Sequence, residues 1–234
     1  MHIPDGYLSP QTAVAMTAVM VPVWGVAVKK VREKLKKKDV PLLSIGAAFS
    51  FTIMMFNLPV PGGSSAHAVG AVLLAILLGP WAASIGVSVA LIIQALVFGD
   101  GGILAIGANC FNMGFVMPFV GYGVYKLVRG NSDAMSGRAI FASILAGYVG
   151  LNMAALFTAV EFGSQYHLFK AADGTPLYFM YSLKAAIIAM MSEHLILAGP
   201  VEGLVTGLGV WFVGHNYPEL LPSSMINDLS LEGK

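Results

Sequence analysis

The densest chemistry in the chain lies in its first two residues. The sequence opens Met1-His2-Ile3-Pro4-Asp5-Gly6, placing an α-amine, an amide nitrogen and an imidazole on one short covalent path. An α-amine has an ordinary pKa of roughly 7.7–8.0, so a metal ion can displace its proton near neutral pH, and histidine is the commonest metal ligand there. A strongly polarising ion can displace the amide proton as well. The amine of Met1 with the amide and imidazole nitrogens of His2 would then close fused chelate rings in nearly one plane. A fourth nitrogen completes a square, which is the geometry of Ni(II) or Cu(II) rather than of tetrahedral Zn(II) or oxygen-seeking Mg(II). The bulk of His2 should also discourage an aminopeptidase that prefers small second residues from trimming Met1.

Four histidines remain as sources of the fourth nitrogen. His215 begins a polar tail, His194 lies deep in the last apolar stretch, and His167 sits in a loop without turn signals. His67 follows Pro59, Pro61, Gly62 and Gly63, in a loop whose small residues let backbone segments approach closely. It is the best candidate. Ser65, Asp100 and Asn109 are placed to orient these ligands, a support that metal sites generally need.

The elements that position such a site are set by composition. The chain has 234 residues, 57% hydrophobic and only 11% charged, against roughly 25% charged in a soluble domain. So few charges cannot cover a soluble globule, and no basic face is available for nucleic acid. Disorder is excluded by the amount of apolar material. The expected architecture is an all-α, polytopic bundle of about seven membrane-spanning helices, each needing about 20 apolar residues. Residues 1–213 form a single transmembrane metal-binding domain, and residues 214–234 form a polar cytoplasmic tail. A β-barrel is not expected, because the apolar runs are continuous rather than alternating. The lone cysteine, Cys110, cannot form an intrachain disulfide.

The spans are read as Pro10 to Val28, Pro41 to Phe56, two helices within Ala66 to Phe98 broken at Gly79-Pro80, Ile103 to Val128, Arg138 to Phe162, and one long kinked span over Tyr178 to Val213, with a helix pair there as the alternative. Seven of the thirteen Lys and Arg lie between Lys29 and Lys38, and the positive-inside rule makes that loop cytoplasmic. The N-terminus, the 57–67 loop and the 99–102 turn then face outward. With no Lys or Arg before Lys29, the N-terminus does not read as a secretory signal.

These residues resemble the CbiM/NikM family. The likeness rests on Met1-His2-Ile3-Pro4-Asp5-Gly6, Pro61-Gly62-Gly63-Ser64-Ser65-Ala66-His67 and Gly79-Pro80. It continues through Gln94-Ala95-Leu96, Phe98-Gly99-Asp100-Gly101-Gly102, Asn109, Asn112-Met113-Gly114, Glu202-Gly203 and Thr206-Gly207, so it covers nearly the whole chain. The resemblance implies the substrate-specific subunit of an energy-coupling factor (ECF) importer, an ABC-type system for cobalt or nickel in the cell membrane. It implies Ni(II) or Co(II) bound by the amine of Met1, by the backbone and imidazole nitrogens of His2 and by His67. It also implies a transmembrane coupling (T) subunit, two cytoplasmic ATPase subunits and a small CbiN/NikN-type membrane subunit as partners. The metal would be cargo, with no resident cofactor and no catalytic residue. Consistently, the chain has no Gly-x-x-x-x-Gly-Lys-Ser/Thr pattern with which to use ATP itself.

Two other functions compete. Glu193 and His194 could serve an intramembrane metalloenzyme, but the first His of His-Glu-x-x-His is missing. An independent secondary metal transporter is the other. Among the remaining polar residues, Asn112 and Asn152 read as interhelical hydrogen-bonding groups. The pairs Ala71/Ala75 and Ala142/Ala146 permit close helix packing.

Overall fold

The computed structural model describes residues 1–60 and 64–222. Pro61, Gly62 and Gly63 of the expected metal loop, and tail residues 223–234, lie outside the described residues. The chain is mostly helical, as its continuous apolar runs predict. Helix α1 (Pro10–Lys34) starts where the Ser9 hydroxyl accepts from the Thr12 backbone N–H at 3.1 Å, with Pro10 supplying a helical φ at the first position. Helix α2 (Val40–Met54) follows the Lys-rich turn. Two short strands, β1 (Leu58–Val60) and β2 (Ser64–Ala66), then pair antiparallel with Leu58 opposite Ala66. No hairpin was expected in an all-α chain. Strands of three residues are too brief to show an alternating pattern.

Helix α3 (Ala71–Leu78) and helix α4 (Pro80–Ile93) meet at Gly79, whose φ of 87° suits a residue without Cβ. This is the break expected at Gly79-Pro80. Helix α5 (Ile106–Asn109) continues through a π-helical stretch, Cys110–Val116, into helix α6 (Met117–Arg129). Helix α7 (Gly137–Leu168) extends past Phe162 into the segment expected to be loop. Helix α8 (Leu183–Glu193) joins helix α9 (Gly199–Asn216) through a π-helical turn, so the last apolar stretch is one continuous, locally distorted helix.

Among the described residues, four helices are long and apolar enough to cross a membrane: Pro10–Lys34, Pro80–Phe98, Gly137–Leu168 and Leu183–Asn216. That count stands beside the seven expected from hydropathy. Part of the difference lies at α3, whose eight residues reach only ~12 Å at 1.5 Å per residue, well short of a hydrocarbon core of about 30 Å. It is instead enclosed, with Ala71 through Leu77 buried.

Small residues permit the tightest contacts. A Cβ on Gly147 would strike Thr206 and the Glu202 carbonyl, and one on Gly203 would meet the Ile144 carbonyl, so α7 and α9 pack backbone to backbone. Ala71, Ala75, Ala142 and Ala146 are all fully buried inside the bundle. Asn112 does link helices, donating to Thr158 Oγ1 at 3.0 Å and Glu161 Oε2 at 2.8 Å. Asn152 instead donates to the Tyr148 carbonyl of its own helix at 2.8 Å. A buried amide four residues beyond a carbonyl can bond locally, which hydropathy does not reveal.

Candidate metal centre

The N-terminal segment is enclosed rather than loose. Met1 and Ile3 are 0% exposed and His2 is 4% exposed. On one side the segment meets the second strand: the amine of Met1 donates to the Ser65 carbonyl and lies 3.4 Å from Ser65 Oγ. On the other it meets the 99–109 region. Ile3 N–H donates to Asn109 Oδ1 at 2.8 Å, Asn109 Nδ2 donates to the Ile3 carbonyl at 3.2 Å, and Gly102 N–H reaches the same carbonyl at 2.8 Å. The Asp5 carboxylate accepts from the Ile103 and Leu104 N–H groups, each at 3.0 Å. This close approach requires small residues. A Cβ on Gly102 would lie 2.5 Å from the Asp5 backbone nitrogen, and Gly101 has φ 86° beside His2 and Asn109.

The His2 and His67 rings stack with centroids 4.7 Å apart and planes inclined by 29°. Gln94, at the end of α4, donates through Nε2 to the Phe51 carbonyl at 3.3 Å. Its Oε1 therefore faces His2, 3.2 Å from Nε2. An amide oxygen only accepts, so His2 carries its proton on Nε2 and keeps its lone pair on Nδ1. Nδ1 is also the nitrogen that closes a six-membered ring with the amide of His2 around a metal. Asp100 Oδ1 lies 3.6 Å from it. His67 has the mirror assignment. Its Nδ1 lies 3.1 Å from the Ala68 carbonyl, leaving Nε2 as the lone-pair atom, buried and with no hydrogen-bond partner among the described residues.

The His67 loop is braced from the far end of the sequence. Glu202, fully buried on α9, accepts from Val69 N–H at 2.7 Å and from Gly70 N–H at 3.0 Å. Its carboxylate thus sits at the start of α3, where backbone donors lack helical partners and negative charge is favoured. The Ser50 hydroxyl adds a bond to the Val69 carbonyl at 2.7 Å.

Burial sets the protonation of the donors. Desolvation pushes the Met1 amine from 8.0 down to about 4, against an opposing pull from Asp100. Desolvation, then the nearby amine charge, pushes His2 from 6.5 down to about 3, and the Gln94 bond opposes it. His67 is held well below its ordinary value by burial, then by the amine and by His2. Asp100 is raised, chiefly by burial. The three basic groups are therefore neutral at pH 7, with lone pairs available.

All six residues singled out from sequence meet here: Met1, His2 and His67 face one another, while Ser65, Asp100 and Asn109 touch or flank the terminal segment. Gln94 and Glu202 stand out in the sequence as polar residues in apolar stretches, but not as groups that position this site. The available signal was a polar residue inside an otherwise apolar run, which has a partner by default. Glu193 and His194 do not combine in the same way, because His194 is fully buried and Glu193 only partly so. Among the described residues no three His, Cys, Asp or Glu side chains could hold an ion together. A centre here must draw on backbone nitrogens.

The apolar helices define a multi-pass membrane protein with an enclosed, nitrogen-rich terminus. Residues 2–220 match the family described as "Cobalt uptake substrate-specific transmembrane region", and the chain belongs to that family. It is 52% identical over 222 residues to the "Fused nickel transport protein NikMN" of Rhodobacter capsulatus, covering 94% of this chain and 64% of that protein. It is 34% identical over 208 residues to the "Cobalt transport protein CbiM" of Ruminiclostridium cellulolyticum, covering 88% and 79%. The chain thus spans just under two thirds of the fused relative's length. A crystal structure of a truncated transition metal transporter superposes with a TM-score of 0.88 at 59% identity, covering 92% of this chain and 99% of that one.

Proposed function

We propose that the chain captures Ni(II) or Co(II) as cargo through four nitrogens: the Met1 amine, the His2 amide, His2 Nδ1 and His67 Nε2. In this reading the site opens outward from the membrane, with Ser65, Asp100 and Asn109 holding the terminal segment in place. The chain serves as the substrate-binding subunit of an energy-coupling factor importer. A transmembrane coupling subunit and two cytoplasmic ATPases supply the work, since capture alone moves no ion uphill. The fused name of the Rhodobacter capsulatus relative supports a small CbiN/NikN-type membrane partner as well. Relatives named for nickel and for cobalt support both metals as candidates.

One observation carries this reading: a buried, neutral Met1 amine beside stacked His2 and His67 rings whose tautomers leave Nδ1 and Nε2 as lone-pair atoms. Such a set suits an ion that takes planar nitrogen coordination. The test is titration of the full chain in detergent with Ni(II) and with Co(II), followed by calorimetry and visible spectra. The reading expects one ion per chain and a diamagnetic, square-planar Ni(II) spectrum. Absence of binding, or a spectrum of octahedral oxygen coordination, contradicts it.

A further inference from the structure

His194 is a second histidine with a bare nitrogen, and nothing above uses it. It is 0% exposed, in the middle of the Leu183–Asn216 helix. Its Nδ1 lies 2.7 Å from the Met190 carbonyl, so that nitrogen carries the proton. Its Nε2 is buried and has no hydrogen-bond partner among the described residues. An imidazole kept within the bundle for structure alone would normally pair both nitrogens, because an unmet buried acceptor is unfavourable. His67 shows the same arrangement, with Nδ1 tied to a backbone carbonyl and Nε2 bare. That is the arrangement of histidines that ligate metals, where the second nitrogen is fixed by a carbonyl.

The location agrees. His194 lies on the same Leu183–Asn216 helix as Glu202, whose carboxylate accepts from the Val69 and Gly70 N–H groups beside His67. It is nonetheless not a third side chain of the same ion site. His194 also begins the π-helical turn that ends at Ala198. Pro200 has no N–H to donate back into this stretch, and Tyr148 of α7 instead donates its hydroxyl to the Leu195 carbonyl at 3.3 Å. A wide turn with a broken ladder can shift its side chains at little cost, and such turns recur at functional sites.

We propose that His194 is the next nitrogen donor on the ion's route, a relay ligand that receives the metal from the Met1–His2–His67 site. The proposal rests on the capture reading above. The step is ligand exchange without change of oxidation state. A metal–Nε2 bond to His194 forms as the bond to the His2 amide breaks, and that amide recovers a proton from water.

The experiment compares the unmodified chain with His194→Gln, which keeps an N–H for the Met190 carbonyl and lacks the imidazole lone pair. Ni(II) affinity is measured on the purified chain, and uptake of radioactive nickel is measured in cells carrying the whole transporter. The relay expects affinity within about twofold of the unmodified chain and uptake slowed by about tenfold or more. Uptake at the unmodified rate overturns the relay, and so does affinity that falls in step with uptake, which marks a structural role. Failure of the unmodified chain to bind Ni(II) is a different result and overturns the capture reading together with the relay. Where His194→Gln does not fold, NMR of the ¹⁵N-histidine-labelled unmodified chain decides. An unprotonated Nε2 at His194 is expected, and a proton on that nitrogen overturns the proposal.

Discussion

Residues 1–9 and the helix they enter make opposite use of the bundle. In the terminal segment Met1, Ile3, Leu8 and Ser9 are buried, although the segment has no regular structure of its own. Helix α1, with 25 residues, buries only Ala13, Met20 and Ala27, and leaves Val14 68% exposed and Val21 58% exposed. The helix therefore acts as an outer strut, held at a few points. Gln165 Oε1 accepts from Ser9 N–H at 2.9 Å, a Cβ on Gly107 would collide with Thr17, and Trp24 Nε1 donates to Ser88 Oγ at 3.0 Å. Because the rise per residue along α1 is fixed, those anchors determine where Ser9, the start of the terminal segment's path, is held. The difference shows that, at this end of the molecule, burial falls on the segment carrying the candidate nitrogen donors rather than on the helix that follows it.

That contrast can be broken most severely at the glycine under the segment. In Gly102→Ala the new Cβ meets the backbone nitrogen of Asp5, so the segment cannot lie in its groove. Calorimetry is expected to show Ni(II) affinity reduced by about a hundredfold or more, roughly 3 kcal/mol. Unchanged affinity would mean that the enclosed segment is not part of the site. A milder break is Gln94→Leu, which keeps a side chain of similar size but removes the acceptor for His2 Nε2–H. The chain should remain folded, with affinity lower by about 10–100-fold, the usual range for groups that orient metal ligands. Equal affinity would show that Gln94 does not set the tautomer.

Acid should undo the same enclosure. The docked amine has its pKa lowered from 8.0 to about 4, and docked His2 from 6.5 to about 3. An undocked segment therefore binds more protons across that range, and docking is most stable at high pH. It should weaken as pH falls from about 8 toward 4, read as loss of the docked Ile3 amide signal in NMR. A docked fraction that is constant over this range would contradict the burial of a neutral amine. At the small end, Val14→Ala on the exposed face of α1 should change Ni(II) affinity by no more than about twofold. A larger effect would mean that α1 contributes more than position.

These comparisons also show which parts were readable from sequence. His2 and His67, which the structure brings together, were legible as candidate donors because donor chemistry depends on residue type, and an N-terminal amine needs no tertiary contact to be recognised. Asn109 and Asp100 were legible as polar residues near the same expected surface. Gln94 was not, because its role depends on which way an amide faces across two helices, settled by its bond to the Phe51 carbonyl. Glu202 was likewise out of reach, since it braces a loop more than a hundred residues earlier in the chain. The short α3 escaped because hydropathy counts apolar residues without asking whether they are helical. Residues 67–70 have no regular structure, and the helix starts only after Gly70, at φ 73°. His194 lies deep in its apolar stretch, which argues against a surface ligand, yet the same helix carries Glu202 to the loop of His67.

The central claim is that the terminal amine itself is a ligand, and adding residues ahead of Met1 tests it most directly. A Gly-Ser extension converts the amine to an internal amide and leaves every side chain of the bundle unchanged. Ni(II) titration of the extended and unmodified chains, measured side by side by calorimetry, should show binding lost in the extended chain and retained in the other. Equal Ni(II) affinity in the two chains would contradict the account.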